Sequence, residues 1–147
     1  MSIVWEGKGN ILEAYVQTLV CPVNTVGVMG KGLALQFKQR WPELLKAYRE
    51  ACQKHTFKHQ GYFVYDSDDH YKIFCMPTKR HWREKSQLAW VEDGICALAS
   101  DYEKLGITSI AIPAVGCGEG KLSWDNVRPI IWQYLDRLDI DVLVFEP

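Results

Sequence analysis

Two stretches combine residue types that could hold an anion. In Pro22-Val23-Asn24-Thr25-Val26-Gly27-Val28-Met29-Gly30-Lys31-Gly32, three glycines fall within six residues. The apolar run Leu19-Val20-Cys21 leads in and the helical pattern Leu33-Ala34-Leu35-Gln36-Phe37 leads out. Glycines let backbone N–H groups converge and let a ligand come close. A helix starting there adds uncapped N–H groups and a partial positive charge. That is the chemistry of a phosphate seat, with a ligand-free strand-to-helix turn as the plainer reading. The second stretch, Gly116-Cys117-Gly118-Glu119-Gly120, follows the apolar run Ser109-Ile110-Ala111-Ile112-Pro113. The first loop is not a Walker motif, because Gly32 follows Lys31 where Ser or Thr is needed, and GxGxxG is absent. Ligands of open α/β sheets bind outside the carboxyl ends of strands, so two such loops on one edge could clamp a pyrophosphate.

The third stretch with chemical potential is Met76-Pro77-Thr78-Lys79-Arg80-His81-Trp82-Arg83-Glu84-Lys85-Ser86, where four basic residues interleave with a His and a Trp. A solvated, charged loop is one reading. The other is a surface for single-stranded nucleic acid, where cations track the backbone and an aromatic ring stacks a base. Lys79 sits nearest the strand end, and a lysine held among other cations is a usable nucleophile or base. His55 and His59 have metal-ligand spacing but no third ligand at motif distance, so a surface pair explains them. Cys117 invites a nucleophile reading, although its flanking glycines are better explained by backbone contact to phosphate.

The elements that must position these stretches alternate. Ile3-Val4-Trp5-Glu6 reads as a strand, Thr18 to Pro22 as a second, and Gly32 to Trp41 as a helix with Leu33, Phe37 and Trp41 on one face. Pro42 opens another helix that runs to about Lys54. Phe57 to Asp69 reads as a strand and a turn. Tyr71 to Met76 is a further strand, closed by Pro77 and able to form a hairpin with the one before. Leu88, Val91, Ile95, Leu98, Tyr102 and Leu105 mark an amphipathic helix ended by Gly106. Ser109–Pro113 is a buried strand, Val127 to Leu138 a helix, and Val142 to Phe145 the last strand. The pattern predicts a three-layer α/β/α domain with a mixed central sheet.

The chain has 147 residues, a length that suits a single domain spanning 1–147. A net charge of −1 gives no global field toward nucleic acid or membrane, so any nucleic-acid contact must be local. No apolar run approaches a transmembrane length, so no membrane partner is expected, and the start lacks signal-peptide character. Five scattered cysteines, without a CxxC pair, suit a reducing cytoplasm.

Taken together, Asn24 to Ala34, Pro77 to Arg83, and Pro113 to Gly120 with Leu122 and Trp124 resemble the macrodomain family. The similarity is to its ADP-ribosyl glycohydrolase branch, which includes the DarG antitoxin macrodomain and the terminal ADP-ribose glycohydrolases. It runs from Gly9-Asn10-Ile11 to Phe145-Glu146-Pro147.

The resemblance implies ADP-ribose bound at the strand ends. Asn10 and Ile11 would lie near the adenine; many macrodomains carry Asp where Asn10 stands, which changes the donor pattern. Asn24 matches the distal-ribose Asn. Gly27, Val28, Met29, Gly30, Lys31 and Gly32 would wrap the diphosphate and distal ribose. Pro113, Gly116, Cys117, Gly118, Glu119 and Gly120 would close it from the other loop, with Thr78 beside them.

Lys79 matches the branch's catalytic lysine, expected across the cleft from the first loop. Gly120 stands where the terminal glycohydrolases have an assisting Asp, and Glu119 is adjacent but not equivalent. The implied activity is hydrolysis of ADP-ribose from modified thymidine in single-stranded DNA, with Arg80, Trp82 and Arg83 contacting DNA. The toxin DarT is the implied protein partner, and no cofactor or metal is implied. The rival readings are hydrolysis of ADP-ribosylated protein carboxylates or of ADP-ribose phosphate, and a non-catalytic ADP-ribose reader.

Overall fold

A computed structural model describes residues 2–147. Six strands form one sheet: β1 (Ile3–Gly7), β2 (Thr18–Asn24), β3 (Phe63–Asp66), β4 (Lys72–Lys79), β5 (Ser109–Ile112) and β6 (Asp141–Phe145). Their order is β1-β6-β5-β2-β4-β3, parallel except for the β3–β4 hairpin. The period-2 alternation of strands sends successive side chains to opposite faces. On one face Val20, Phe74, Met76, Ile110 and Ile112 meet helices α4 (Leu88–Asp101) and α5 (Trp124–Leu135). On the other, Leu19, Cys21, Val23, Ile73 and Cys75 meet α1 (Gly32–Arg40), α2 (Pro42–Gln53) and α3 (Thr56–Gln60). The expected three-layer mixed α/β arrangement is therefore observed.

Pro22 marks where the sheet opens. Gln17 O accepts from Lys72 N at 2.9 Å, so odd-numbered residues of β2 face β4 and even-numbered ones face β5. Pro22 thus turns its hydrogen-free nitrogen toward β5. β2 and β5 pair only at Thr18↔Ile110 and Leu19↔Ala111, whereas β2 stays paired with β4 to Asn24↔Lys79. The chain leaves β2 toward β4 and returns through α4 to β5 on the other side. The gap is therefore also the point where connection direction reverses, the usual site of a ligand crevice.

Four expectations need correction. β4 does not stop before Pro77; it runs through it to Lys79. By the same alternation Pro77's nitrogen faces the β3 side, and β3 has already ended opposite Cys75, so no ladder bond is lost. The segment from Phe57 begins as the short helix α3, not a strand, and the strand starts only at Phe63. Phe57 is buried against Tyr48 with ring centroids 6.0 Å apart, and a five-residue helix is too short to display its period. α4 ends at Asp101, followed by a turn in which Gly106 takes φ +71°. The final helix ends at Leu135 rather than Leu138.

Away from the carboxyl ends of the parallel strands, the β3–β4 turn is fastened by Asp69. Hydrogen bonds from Ser67 and from the Trp41 indole, then Arg40, hold its carboxyl at about 2, below the ordinary range. A depressed folded-state value means that this contribution is present above about pH 4 and lost as pH falls toward 2. The melting temperature of Asp69→Asn should accordingly fall less steeply between pH 5 and about pH 2 than that of the native chain. Equal slopes would contradict this role.

Candidate functional site

The carboxyl ends of β2, β4, β5 and β6 open on a cleft of about 1320 Å³. The first glycine loop is shaped by the side chain of Asn24. Its Oδ1 accepts from Val26 N, Gly27 N and Val28 N at 3.2, 3.1 and 3.2 Å, and from the Tyr48 hydroxyl at 2.7 Å. Its Nδ2 donates to Val28 O at 2.8 Å. Three converging N–H groups identify the oxygen and leave one Nδ2 hydrogen for the cleft. Gly27 takes φ +95°, and a Cβ there would stand 3.2 Å from Arg49 Cγ. Met29 is buried in the core and plugs the loop from below. Gly30, Lys31 and Gly32 then run along the cleft wall into α1. That helix has no side-chain cap and no acid in its first turn, so its leading N–H groups and positive dipole end are available.

The second loop is pinned from the opposite side by Ser86. Ser86 N donates to Gly120 O at 2.9 Å, and Ser86 Oγ donates to Thr78 Oγ1 at 3.0 Å. Gln87 N donates to Thr78 O at 2.9 Å. A Cβ on Gly120 would lie 2.0 Å from Ser86 Oγ and 2.6 Å from Gly116 O. No side chain fits there, so the acid expected to be missing is also sterically excluded. Gly118, Glu119 and Gly120 leave their N–H groups without acceptors among the described residues while lining the cleft. Glu119 Cγ reaches within 3.6 Å of where a Cβ of Gly32 would be, so the two loops approach each other at this point.

Lys79 ends β4 and is 9% exposed, with Nζ donating to Trp82 O at 3.3 Å. It is the ladder partner of Asn24. The expectation that it lies across the cleft is thus corrected: Asn24 and Lys79 are side by side on adjacent strands. Thr25 N and Oγ1 donate to Arg80 O at 3.0 and 3.2 Å, which ties the first loop to the basic segment. Among the described residues Lys79 makes no ion pair.

Trp82 and Arg83 stand on the wall, with the Arg83 guanidinium 4.7 Å from the Trp82 ring and His81 stacked on it at 5.2 Å. Arg80 is off the wall and pairs with Glu84. At the far end, Asn10 Oδ1 accepts from Leu12 N at 3.0 Å, leaving its NH₂ as the free group beside buried Ile11. Burial pushes the Cys117 thiol up to about 11, so it is not a thiolate at neutral pH and lacks the activation a nucleophile needs.

Of the residues assigned from sequence to ADP-ribose, catalysis or DNA, Gly27, Met29 and Arg80 are off the cleft wall and the rest line it, whereas the His55 and His59 pair lies outside it. The structure adds Ser86, Gln36, Lys121 and Phe145 to the lining. Ser86 closes the basic run, but nothing in its spacing announces a contact with Gly120, which lies far along the chain. Gly120→Ala should destabilise the fold by about 1–3 kcal/mol, as overpacking does, read as a lower denaturant midpoint. An unchanged midpoint would contradict the packing described.

The family model of the Macro domain matches residues 20–131. The DNA ADP-ribosyl glycohydrolase of Thermus aquaticus is 44% identical over 145 residues, covering 95% of this chain and 40% of that protein. The macrodomain of Thermus aquaticus DarG superimposes with a TM-score of 0.91 at 43% identity, over 97% of both chains. Thermosipho africanus DarTG, solved in complex with ADP-ribose, gives a TM-score of 0.89 at 37% identity over 95% of this chain and 40% of that one. The chain spans about two fifths of the length of the DNA ADP-ribosyl glycohydrolases it matches. With the family model spanning most of its length and the fold shared nearly end to end, the chain belongs to the macro domain family.

Proposed function

We propose that this cleft binds ADP-ribose and releases it by hydrolysis from a modified thymidine base in single-stranded DNA. The observation that carries the reading is one cleft lined both by two loops with unsatisfied N–H groups and by a buried lysine. The diphosphate lies between Gly30–Gly32, with the α1 N-terminus behind it, and Gly118–Gly120. The adenine lies toward Asn10 and Ile11. The distal ribose then falls at Asn24 and Lys79, adjacent on the sheet. The relatives named as DNA ADP-ribosyl glycohydrolases, and DarTG with ADP-ribose, support the ligand and a DNA substrate.

In the reaction the bond between the anomeric carbon and the base nitrogen breaks, and its electron pair leaves with the base. A water oxygen bonds to the anomeric carbon, the departing nitrogen takes a proton from Lys79, and the proton that the water releases restores Lys79. Most of the catalytic effect comes from holding the ADP-ribosyl group so that the anomeric carbon sits against Lys79. Lys79 stabilises the leaving base by charge and proton donation. No carboxylate pairs with it among the described residues, and Gly120 leaves no room for one. This fits a cationic role better than acid-assisted covalent attack.

Trp82 and Arg83, on the rim, meet the DNA next to the modified base, while Arg80 supplies charge further out. The ring of Trp82 already has neighbours in His81 and Arg83, so a base extends an existing stack. The reaction reverses the modification made by a DNA ADP-ribosyltransferase, with the toxin DarT as partner. Five unpaired cysteines support a reducing, cytoplasmic setting.

Lys79→Ala should keep ADP-ribose affinity within a few-fold. Its release of ADP-ribose from a modified thymidine oligonucleotide should fall by roughly 100-fold or more, the scale of a lost proton-transfer group. Isothermal titration and chromatography of released ADP-ribose measure the two. Full retention of turnover would overturn the assignment.

A further inference from the structure

We infer that Tyr48 of α2, which lies outside the cleft, is a positioning residue for the ADP-ribose loop and acts through the side chain of Asn24. The inference deepens the proposed function and rests on it.

Tyr48 is fully buried, and its ring packs edge-on against Phe57. Its hydroxyl stands 2.6 Å from Asn24 O and 2.7 Å from Asn24 Oδ1. A phenol has one hydrogen, so it serves these two acceptors in alternation or as a shared bond. Both distances are shorter than the 3.1–3.2 Å bonds that Oδ1 receives from Val26, Gly27 and Val28. Burial pushes the phenol well above its ordinary range, so it remains a donor at any physiological pH.

The three N–H donors to Oδ1 belong to the same loop that Asn24 shapes. Without Tyr48 the carboxamide of Asn24 would have no hydrogen bond to the helix layer. The next residue, Arg49, adds an outer brace through Nε to Gly27 O at 3.1 Å. Consecutive residues of α2 thus grip the loop from below and from the side. The parts of the loop that face the cleft, the free Nδ2 hydrogen of Asn24 and the run Gly30–Gly32, inherit their position from this grip. Tyr48 touches no ligand; its effect is to hold the first loop at the spacing that the diphosphate and distal ribose require.

The test is a double-mutant cycle with Tyr48→Phe in the native and Asn24→Ala backgrounds. ADP-ribose affinity is titrated well below every variant's melting temperature. Tyr48→Phe should weaken binding roughly three- to tenfold in the native background, the effect of one lost hydrogen bond, and by less than about twofold when Asn24 is already Ala. A structural role confined to stability would lower the melting temperature and leave affinity unchanged, and that result overturns the inference. An equal loss in both backgrounds overturns it too, because Tyr48 would then not act through Asn24.

Amide hydrogen exchange of Gly27 and Val28 gives a second, ligand-free reading. In Tyr48→Phe it should quicken several-fold relative to amides of β5, and unchanged exchange overturns the inference. If the native chain does not bind ADP-ribose, the proposed function falls. The exchange measurement then decides alone whether Tyr48 holds the loop, as it does if the Asn24→Ala background binds too weakly to titrate.

Discussion

Past Leu19, β2 has a neighbouring strand on one side only, and the rest of the site depends on that opening. Pro22 has no hydrogen to offer toward β5, and the β2–β5 ladder contains two residue pairs. The gap between these strands opens into the cleft. It receives the loops that leave the two strands, each rich in glycine and each plugged into the core by a buried residue, Met29 in one and Val115 in the other. On its other side β2 stays paired with β4 to the last residue, which sets Asn24 beside Lys79. One strand thus borders the proposed anion seat on one edge and Lys79 on the other.

The electrostatics follow from this arrangement. The cleft gathers backbone N–H groups from Gly30–Gly32 and Gly118–Gly120 together with the start of α1, and these fixed dipoles suit an anion without needing a basic protein surface. That is how a chain of net charge −1 could present the proposed diphosphate seat. Of the cations lining the cleft, Lys79 and Arg83 stand where chemistry and DNA contact are proposed, while Lys31 and Lys121 belong to the two glycine loops. Ser86 and Asn24 have parallel tasks on the two walls. Each ties one loop to structure outside it, through Thr78 in one case and Tyr48 in the other.

The two loops, the lysine at a strand end and the layered architecture were legible in the sequence because each depends on local pattern. Glycine spacing, an apolar run before a loop, and helical or alternating periodicity are all short-range signals. What escaped is what depends on contact between distant segments. Ser86 faces Gly120, and Tyr48 reaches back to Asn24, through backbone and side-chain geometry that no spacing records. The same limit explains the placement of Lys79: adjacency to Asn24 follows from strand order, and strand order is not written in the alternation of elements. Pro77 looked like a strand end because proline breaks ladders, but it lies where β4 has lost its outer neighbour. α3 looked like a strand because Phe57 is an aromatic before an aromatic, β-branched run, and five residues contain too few turns to reveal a helix.

The central claim is that the cleft removes ADP-ribose from a thymidine base in single-stranded DNA. It is tested most directly by incubating the native chain, in parallel, with a single-stranded oligonucleotide carrying ADP-ribosylated thymidine and with a peptide carrying glutamate-linked ADP-ribose. Free ADP-ribose is quantified from each. The account predicts release from the oligonucleotide with recovery of unmodified thymidine, at a rate well above that on the peptide. Release confined to the peptide, or binding of ADP-ribose with release from neither substrate, would contradict it.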